Sequence, residues 1–254
     1  MALDIFNLTG KVALVSGGIK GLGKAMARGL AEAGADVVIS SRHEEELRPA
    51  LDDILRGTGR RGKYIVADMS RRAEADRLAK DSLEEMGRVD ILVNNAGTNI
   101  PEPIDEISDA DWDFVMEVNL HSVMALTRAL VPQMKARRWG RVIHISSIMG
   151  FVSKAGRNGY SATKAALLGL ARANALDLGP FGVTVNCIAP GPFLTDLPGR
   201  LLSAAEKEEF ARKTALKRWG EPRELVGPVL LLASEAGSYI TGETLVVDGG
   251  WLAG

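Results

Sequence analysis

The 254-residue chain has little of what disulfide-stabilised, zinc-binding or nucleic-acid-binding proteins depend on. Its single cysteine, Cys187, cannot form an internal disulfide, and three histidines add no zinc-ligand cluster, so we expect no metal site and a reducing, cytoplasmic location. The 31 basic residues nearly balance the 32 acidic residues, giving a net charge of −1 that disfavours nucleic acid as a partner. No signal-peptide pattern and no apolar run of about 18 residues is present, so we expect no membrane partner either.

Apolar runs alternate with helix-length segments along the whole chain. The runs are continuous rather than alternating, which is typical of parallel strands buried on both faces. Linkers, repeats and shifts of composition are absent, so we predict one domain over residues 1–254, a Rossmann-type doubly wound parallel seven-stranded sheet with helices on both faces. The seven predicted strands are Val12–Ser16, Val37–Ser41, Tyr64–Ala67, Ile91–Asn94, Val142–Ser146, Val183–Ile188 and Leu245–Val247.

Short capping motifs mark where several helices begin. Ser203 and Glu206 have the spacing of a capping box. Ser108 with Asp109 can cap a helical segment that runs to Arg138. A proline at 222 suits the first turn of another helix.

The first strand leads directly into a glycine-rich loop, Ser16-Gly17-Gly18-Ile19-Lys20-Gly21-Leu22-Gly23, followed by a helical segment to Ala33. Gly17 allows a tight turn, Gly21 lets the backbone approach a pyrophosphate, and Gly23 allows close packing of helix and strand. A plain strand-to-helix turn also uses glycines, and the spacing G-x-x-x-G-x-G differs from the standard G-x-G-x-x-G. The strand–loop–helix context nevertheless favours dinucleotide binding.

The end of the second strand bears on which dinucleotide binds. An acidic residue there would bind the ribose of NAD(H), but Ser41 occupies the position. Arg42 follows it, and Lys20 lies in the glycine loop, so two cations can meet the 2′-phosphate of NADP(H). Isolated surface cations are usually only solvated. Because the acid is missing, we expect NADP(H) to be favoured over NAD(H).

Further motifs follow the fourth and fifth strands. They are Asn94-Asn95-Ala96-Gly97, Asn119, Ser147, and Tyr160-Ser161-Ala162-Thr163-Lys164, which begins 13 residues after Ser147. With the glycine loop, they resemble the short-chain dehydrogenases/reductases from near residue 8 to the C-terminus. The resemblance implies an oxidoreductase that interconverts a secondary alcohol and a ketone, with Asn119, Ser147, Tyr160 and Lys164 as its catalytic residues.

The chemistry of hydride transfer explains the pairing of Tyr160 with Lys164. A ketone that accepts hydride needs a proton donor, and an alcohol that loses hydride needs a base. The pKa of a free tyrosine is near 10, and a lysine four residues later lies on the same helix face, so we expect Lys164 to lower the pKa of Tyr160 by about 2 to 3 pH units. An isolated Tyr-x-x-x-Lys is usually just an amphipathic pair. The other motifs argue against that interpretation here.

The resemblance also implies individual roles. Ser147 would donate a hydrogen bond to the substrate oxygen, Lys164 would bind the nicotinamide ribose, and Asn119 would hold a water that links Lys164 to solvent. Ile188 would pack against the nicotinamide. Asp68 would lie beside the adenine, although it can alternatively cap the helix that follows. The expected cofactor-binding residues are Gly17, Lys20, Gly21, Leu22, Gly23, Ser41, Arg42, Asp68, Asn95, Ala96, Gly97, Tyr160, Lys164, Pro190, Gly191 and Thr195.

The segment Phe193–Thr214 is expected to form a flap over the substrate. The candidate pocket residues are Met149, Phe151, Asn158, Phe193, Leu197, Arg157 and Asn99. Two substrate classes stay open: a sugar acid or polyol, as in gluconate 5-dehydrogenase-like members, and a 3-oxoacyl thioester on acyl-carrier protein. Carrier docking uses two arginines in such relatives, and this chain has Arg138 at the first position but Phe181 at the second.

Two further expectations concern turnover and assembly. A dinucleotide sensor without turnover is an alternative of another class, but all four catalytic residues are intact. By resemblance we expect a homotetramer in which the helices Asp109–Arg138 and Gly159–Gly179 pack against their copies.

Overall fold

The computed structural model describes residues 3–195 and 203–254. Seven strands form one parallel sheet in the order β3-β2-β1-β4-β5-β6-β7. This confirms the predicted Rossmann-type, doubly wound, seven-stranded sheet, and every predicted strand overlaps an observed one. The strands are β1 (Val12–Ser16), β2 (Asp36–Ser41), β3 (Gly62–Val66), β4 (Ile91–Asn94), β5 (Gly140–Ile145), β6 (Val183–Pro190) and β7 (Thr244–Val247).

Helices connect the strands, and the predicted capping motifs start them. Ser108 accepts a hydrogen bond from the Asp111 amide, and Ser203 forms the reciprocal capping box with Glu206. Pro222 opens a 3₁₀ helix, Pro222–Leu225. The α-helices are α1 (Gly21–Glu32), α2 (Glu44–Leu55), α3 (Arg72–Met86), α4 (Asp109–Met116), α5 (Ser122–Arg137), α6 (Asn158–Leu178), α7 (Ala204–Lys213) and α8 (Val226–Ala233).

The helical run Asp109–Arg137 is interrupted by a π-helical turn, Glu117–His121, which the sequence pattern did not predict. By length and mean hydropathy, 1.2, this run resembles a membrane-crossing helix, but half of its apolar window is buried in the protein and α5 packs on α3. It is therefore a core helix. The π turn contains Asn119, and such turns occur frequently at functional sites.

Both faces of the sheet are covered, which is why the strands are apolar without alternation. Along β1, Ala13 and Val15 join the core beneath α1, α2 and α8, whereas Val12 and Leu14 join the core beneath α3, α5 and α6. Successive residues of one strand thus contribute to opposite cores.

The sheet changes direction of winding at β1, because β1 pairs with β2 on one side and with β4 on the other. Ligands of doubly wound sheets bind in the crevice that opens at the carboxyl ends of such strands. Here the Asn95 amide Nδ2 donates to the carbonyls of Ser16 and Gly17, 3.0 Å each, and the Ser16 hydroxyl accepts from the Asn95 and Ala96 backbone amides. These bonds fix the loops after β1 and β4 to each other.

Candidate active site

A cleft of about 640 Å³ opens at the carboxyl edge of the sheet. All sixteen expected cofactor-binding residues line it, and so does Ser147. Asn119 lies behind the wall, fully buried. The sequence motifs are therefore brought together in one site, although they come from segments up to about 180 residues apart.

The glycine loop has the geometry of an anion cradle. Gly17 and Gly21 have positive φ angles of 65° and 55°, which side-chain-bearing residues rarely adopt. A Cβ on Gly23 would lie 2.3 Å from the Gly17 carbonyl and 2.5 Å from Asn95 Nδ2. Helix α1 begins within this loop, so its positive N-terminal end points to the cleft. The residues present therefore fit the pyrophosphate of a dinucleotide.

The end of the cleft next to the carboxyl end of β2 carries two cations and one acid. Arg42 lies beside Asp68, whose pKa is held below its ordinary value: burial raises that pKa, but the hydrogen bonds from Ser70 and the charge of Arg42 lower it more. Asp68 accepts from both the backbone and the hydroxyl of Ser70, while Arg71 is the residue that precedes α3. The structure thus does not use Asp68 as a helix cap, the alternative considered from the sequence.

Lys20 is exposed at the rim, 4.0 Å from the Glu46 carboxylate, an ion pair too open to fix its position. With His43 and Glu45, Glu46 forms the only group of potential metal ligands within 4.8 Å of one another in the described residues. These are rim side chains, and acidic groups of this kind commonly occur without an ion. Lys20 is free to turn towards an anion in the cleft.

Tyr160 and Lys164 lie one turn apart on α6, as the spacing predicts. Tyr160 is half-buried and Lys164 is buried. The Lys164 ammonium donates to the carbonyl of Ile145, 2.7 Å, and lies 5.5 Å from the centre of the Tyr160 ring. Ser147 follows β5, and its hydroxyl hydrogen-bonds Tyr160 and accepts from the Met149 amide. The proton-carrying groups thus share one end of the cleft.

The expected lowering of the Tyr160 pKa is wrong for this structure. Burial raises the pKa of Tyr160, and although the hydrogen bond from Ser147 and the positive charge of Arg157 oppose this, the net shift is upward. Burial also lowers the pKa of Lys164 to about 8. Arg157 is a cation whose charge lowers the pKa of the phenol, while Lys164 Nζ donates to the Ile145 carbonyl. Sequence reasoning had placed Arg157 only among the pocket residues.

The side-chain amide of Asn119 makes three hydrogen bonds within the protein. Its Oδ1 accepts from the Thr98 amide, 2.8 Å, and its Nδ2 donates to the Thr98 carbonyl, 2.9 Å, and to Thr163 Oγ1, 3.1 Å. A Cβ placed on Gly97 would lie 3.4 Å from Lys164 Nζ and 3.5 Å from Asn119 Oδ1, so these groups converge. The side chain therefore positions the Thr98 segment and α6 beside Lys164.

Two further titratable groups lie buried beneath Lys164. Burial, with the Lys164 charge, lowers the pKa of His144 to about 4, and its Nδ1 is 3.1 Å from Asn94 Nδ2. Burial raises the pKa of the Cys187 thiol to about 12. Both groups are neutral at pH 7, so Lys164 is the positive charge in this part of the core.

At the substrate end, four of the seven predicted pocket residues line the cleft: Met149, Phe193, Arg157 and Asn99. Phe151 is exposed outside it, and Asn158 instead donates to the Glu102 carbonyl, 2.9 Å. Leu197 lies outside the described residues, as does part of the expected flap.

The sequence interpretation missed Lys154, Phe210 and Trp219 in the cleft wall. The ring centre of Phe210, on α7, lies 5.5 Å from the ring centre of Trp219 and 5.3 Å from that of Trp251. Phe210 and Trp219, nine residues apart, thus supply apolar surface to the cleft wall, and Trp251 contacts Phe210 without lining the cleft. Only the capped helix that carries Phe210 gave a sequence signal.

Comparison with known proteins assigns the family. The family model described as "Enoyl-(Acyl carrier protein) reductase" matches residues 17–252. The chain is also 38% identical over 255 residues to 2-dehydro-3-deoxy-D-gluconate 5-dehydrogenase of Dickeya dadantii, covering 100% of both chains. The chain belongs to the short-chain dehydrogenase/reductase family of oxidoreductases. This confirms the resemblance seen in the motifs.

Members of this family with different substrates are similarly close. The 3-oxoacyl-[acyl-carrier-protein] reductase of Aquifex aeolicus is 36% identical over 244 residues, covering 96% of this chain and 98% of its own. Among solved structures, gluconate 5-dehydrogenase from Burkholderia cenocepacia, in complex with NADP and tartrate, superposes with a TM-score of 0.93 at 36% identity and 100% coverage of both chains. Overall similarity therefore does not choose between the two substrate classes.

Proposed function

We propose that this short-chain dehydrogenase/reductase is an NADP(H)-dependent enzyme that interconverts a secondary alcohol and a ketone of a sugar acid or polyol. The observation that carries the proposal is the placement of Tyr160, Ser147 and Lys164 at one end of a cleft whose other end is the glycine loop. NADP in the structure of a relative with the same fold supports the choice of cofactor.

Different residues of the cleft would bind different parts of the dinucleotide. When bound, NADP(H) would supply or accept the hydride. The loop of Gly17, Gly21 and Gly23 would hold the pyrophosphate at the start of α1, and Lys20 and Arg42 would bind the 2′-phosphate. The remaining contacts would come from Leu22, Ser41, Asp68, Asn95, Ala96, Gly97, Lys164, Pro190, Gly191 and Thr195.

Tyr160 would act as the general acid in ketone reduction. Its raised pKa keeps the phenol protonated at neutral pH, which is the form that a ketone oxygen requires as a proton donor. The Ser147 hydroxyl would be a second donor to the same oxygen. In alcohol oxidation Tyr160 acts as the base, and the Ser147 hydrogen bond and the Arg157 charge both stabilise the phenolate. A protein lacking turnover would have no need for this arrangement.

Lys164 and Asn119 would support the proton donor. With a pKa of about 8, Lys164 is mostly charged at pH 7, and it would bind the nicotinamide ribose. Asn119 holds Thr98 and Thr163 in place next to it. A water that links Lys164 to solvent near Asn119 stays a prediction from the family resemblance.

A sugar acid is favoured because the substrate end combines positive charge with an unused acceptor. Lys154 and Arg157 line it, and the Oδ1 atom of Asn99 is buried there without a donor among the described residues. A substrate hydroxyl would satisfy that acceptor. Reduction of a 3-oxoacyl thioester is the second candidate, supported by the Aquifex relative. One observation argues against this second candidate. The position of the second docking arginine is occupied by Phe181, whose ring centre lies 4.1 Å from the Lys135 ammonium.

Consumption of NADPH with a small panel of ketones tests the proposal. The panel consists of 5-keto-D-gluconate, L-sorbose and acetoacetyl-coenzyme A. We expect the fastest turnover with 5-keto-D-gluconate. Faster turnover of the thioester would favour carrier-linked reduction, and an absence of NADPH consumption with every compound would favour the non-catalytic sensor.

A further inference from the structure

Two cations stand next to the proton donor at the substrate end of the cleft. Lys154 and Arg157 both line it, and the Arg157 amide donates to the Lys154 carbonyl, 3.2 Å, in a tight turn just before α6. Arg157 is the residue that precedes α6, three positions before Tyr160. We call Lys154 and Arg157 the cation pair.

The turn that carries the cation pair is fixed to a second segment. The Glu102 amide donates to the Gly156 carbonyl, 3.1 Å, and Glu102 forms a parallel bridge with Arg157. Asn158 Nδ2 donates to the Glu102 carbonyl, 2.9 Å. Gly156 has a φ of 72°, a conformation that glycine tolerates and other residues resist. The backbone of the cation pair is therefore held in place before any substrate arrives.

The charges of the cation pair are not neutralised by the protein. In the two described stretches, 3–195 and 203–254, neither side chain has a carboxylate within 4.0 Å, and the Lys154 ammonium instead lies 4.9 Å from the centre of the Phe210 ring. Burial and then the Arg157 charge lower the pKa of Lys154, only partly opposed by Glu206 and Glu209. Burial also lowers the pKa of Arg157. A bound anion would relieve this repulsion.

We propose that Lys154 and Arg157 bind the carboxylate of the substrate and thereby select hydroxy and keto acids over neutral polyols. The inference rests on the proposed function, because it assigns the substrate class of the same site. Arg157 is close enough to Tyr160 for its charge to act on the phenol. One small molecule can therefore place its carboxylate on Arg157 and its reacting carbon next to Tyr160. A carrier-linked thioester does not fit this arrangement, since its nearest charge is a distant phosphate.

Three variants separate this role from a general effect of charge. Lys154→Gln and Arg157→Gln each remove one member of the cation pair. Lys213→Gln is the matched control, because Lys213 is also a cation near Lys154 but pairs with Glu209 at 2.9 Å and lies outside the cleft lining. Each variant is compared with wild type in the reduction of 5-keto-D-gluconate and of L-sorbose, which carries a hydroxymethyl group in place of the carboxylate.

Loss of a hydrogen-bonded charge should raise the KM for 5-keto-D-gluconate about 10- to 100-fold in both cation-pair variants. The KM for NADPH in both variants, the kcat/KM for L-sorbose in Lys154→Gln and all constants of Lys213→Gln should change less than about threefold. Because the Arg157 charge also acts on Tyr160, Arg157→Gln can slow both ketones, so its test is the ratio of kcat/KM for 5-keto-D-gluconate to that for L-sorbose, which should fall at least about tenfold. A KM for 5-keto-D-gluconate that stays within threefold of wild type in both variants, or that rises equally in the control, would overturn the inference while leaving the oxidoreductase function intact.

Calorimetric binding of D-gluconate to the NADP⁺-loaded protein gives a readout that does not need turnover. We expect its Kd to rise by a similar factor in Lys154→Gln and Arg157→Gln and to stay unchanged in Lys213→Gln. If these Kd changes are observed but no ketone is reduced, the proposed oxidoreductase function is refuted while the carboxylate site is supported. Failure of the wild-type protein to bind D-gluconate would overturn the carboxylate site itself.

Discussion

Replacement of Gly23 by alanine tests the cofactor cradle most severely. The added Cβ would lie 2.3 Å from the Gly17 carbonyl, whereas real Cβ contacts are at least 3.0 Å, so the loop must move by at least about 0.7 Å. The same Cβ would lie 2.5 Å from Asn95 Nδ2, which holds the carbonyls of Ser16 and Gly17 at 3.0 Å each. Both obstacles are tightly held, so neither can move without loss of hydrogen bonds.

The expected cost follows from these contacts. Overpacking costs about 1 to 3 kcal/mol, and each lost hydrogen bond costs about 1 kcal/mol more. If about 2 kcal/mol of this opposes the loop geometry that holds the pyrophosphate, the Kd for NADPH rises about 30-fold. The free energy of unfolding should fall as well, by about 2 to 5 kcal/mol in total.

NADPH fluorescence titration and thermal unfolding measure the two effects separately. Gly227→Ala is the control, because Gly227 lies on the exposed side of α8 with no atom within 4 Å of its Cβ position. It should change the free energy of unfolding by less than about 1 kcal/mol and leave NADPH binding unchanged. A Gly23→Ala protein with normal stability and a Kd for NADPH within threefold of wild type would refute the reasoning about the loop.

Other expectations follow from the same structure. Wild type should have a higher kcat/KM with NADPH than with NADH, and Arg42→Asp should reduce that ratio at least about tenfold, since the acid repels the 2′-phosphate; a wild-type preference for NADH would contradict the role of Arg42. The absorbance difference between ligand-free wild type and Tyr160→Phe should show a midpoint of tyrosinate formation above the usual 10.0, because burial raises the pKa of Tyr160; a midpoint near pH 8 would contradict this. Light scattering should give about four times 27.1 kDa if the expected homotetramer forms, and a monomer would disprove it.

The sheet was predictable because burial on both faces leaves a simple trace in the sequence. Continuous apolar runs located all seven strands, with differences only at the ends. Strand β6 continues past the predicted end, Ile188, to Pro190, because Ala189 and Pro190 pair with β7. A proline at the end of a strand removes no needed donor, so Pro190 is compatible with this pairing.

The π turn around Asn119 could not be predicted from local periodicity. Its Asn119 side chain bonds to Thr98 and Thr163, which are 21 and 44 residues away in the sequence, so local spacing carries no sign of these contacts. Helical spacing did place Tyr160 and Lys164 on one face. It could not show that the Lys164 ammonium binds the Ile145 carbonyl.

The cleft wall shows the same limit. Lys154, Phe210 and Trp219 come from separate loops and a helix, and only the fold brings them beside Tyr160. Arg157 was visible in the sequence as a polar pocket residue. Its electrostatic effect on Tyr160 depends on proximity in three dimensions, which motif spacing alone does not give.

Turnover by Tyr160→Phe is the most direct test of the central claim that Tyr160 is the proton donor of an NADP(H)-dependent oxidoreductase. The substitution removes only the hydroxyl, so NADPH should bind with a Kd within threefold of wild type. Reduction of the best ketone substrate should slow about 10²- to 10⁴-fold, the usual contribution of a general acid. Turnover within a few-fold of wild type, with NADPH binding intact, would contradict the account.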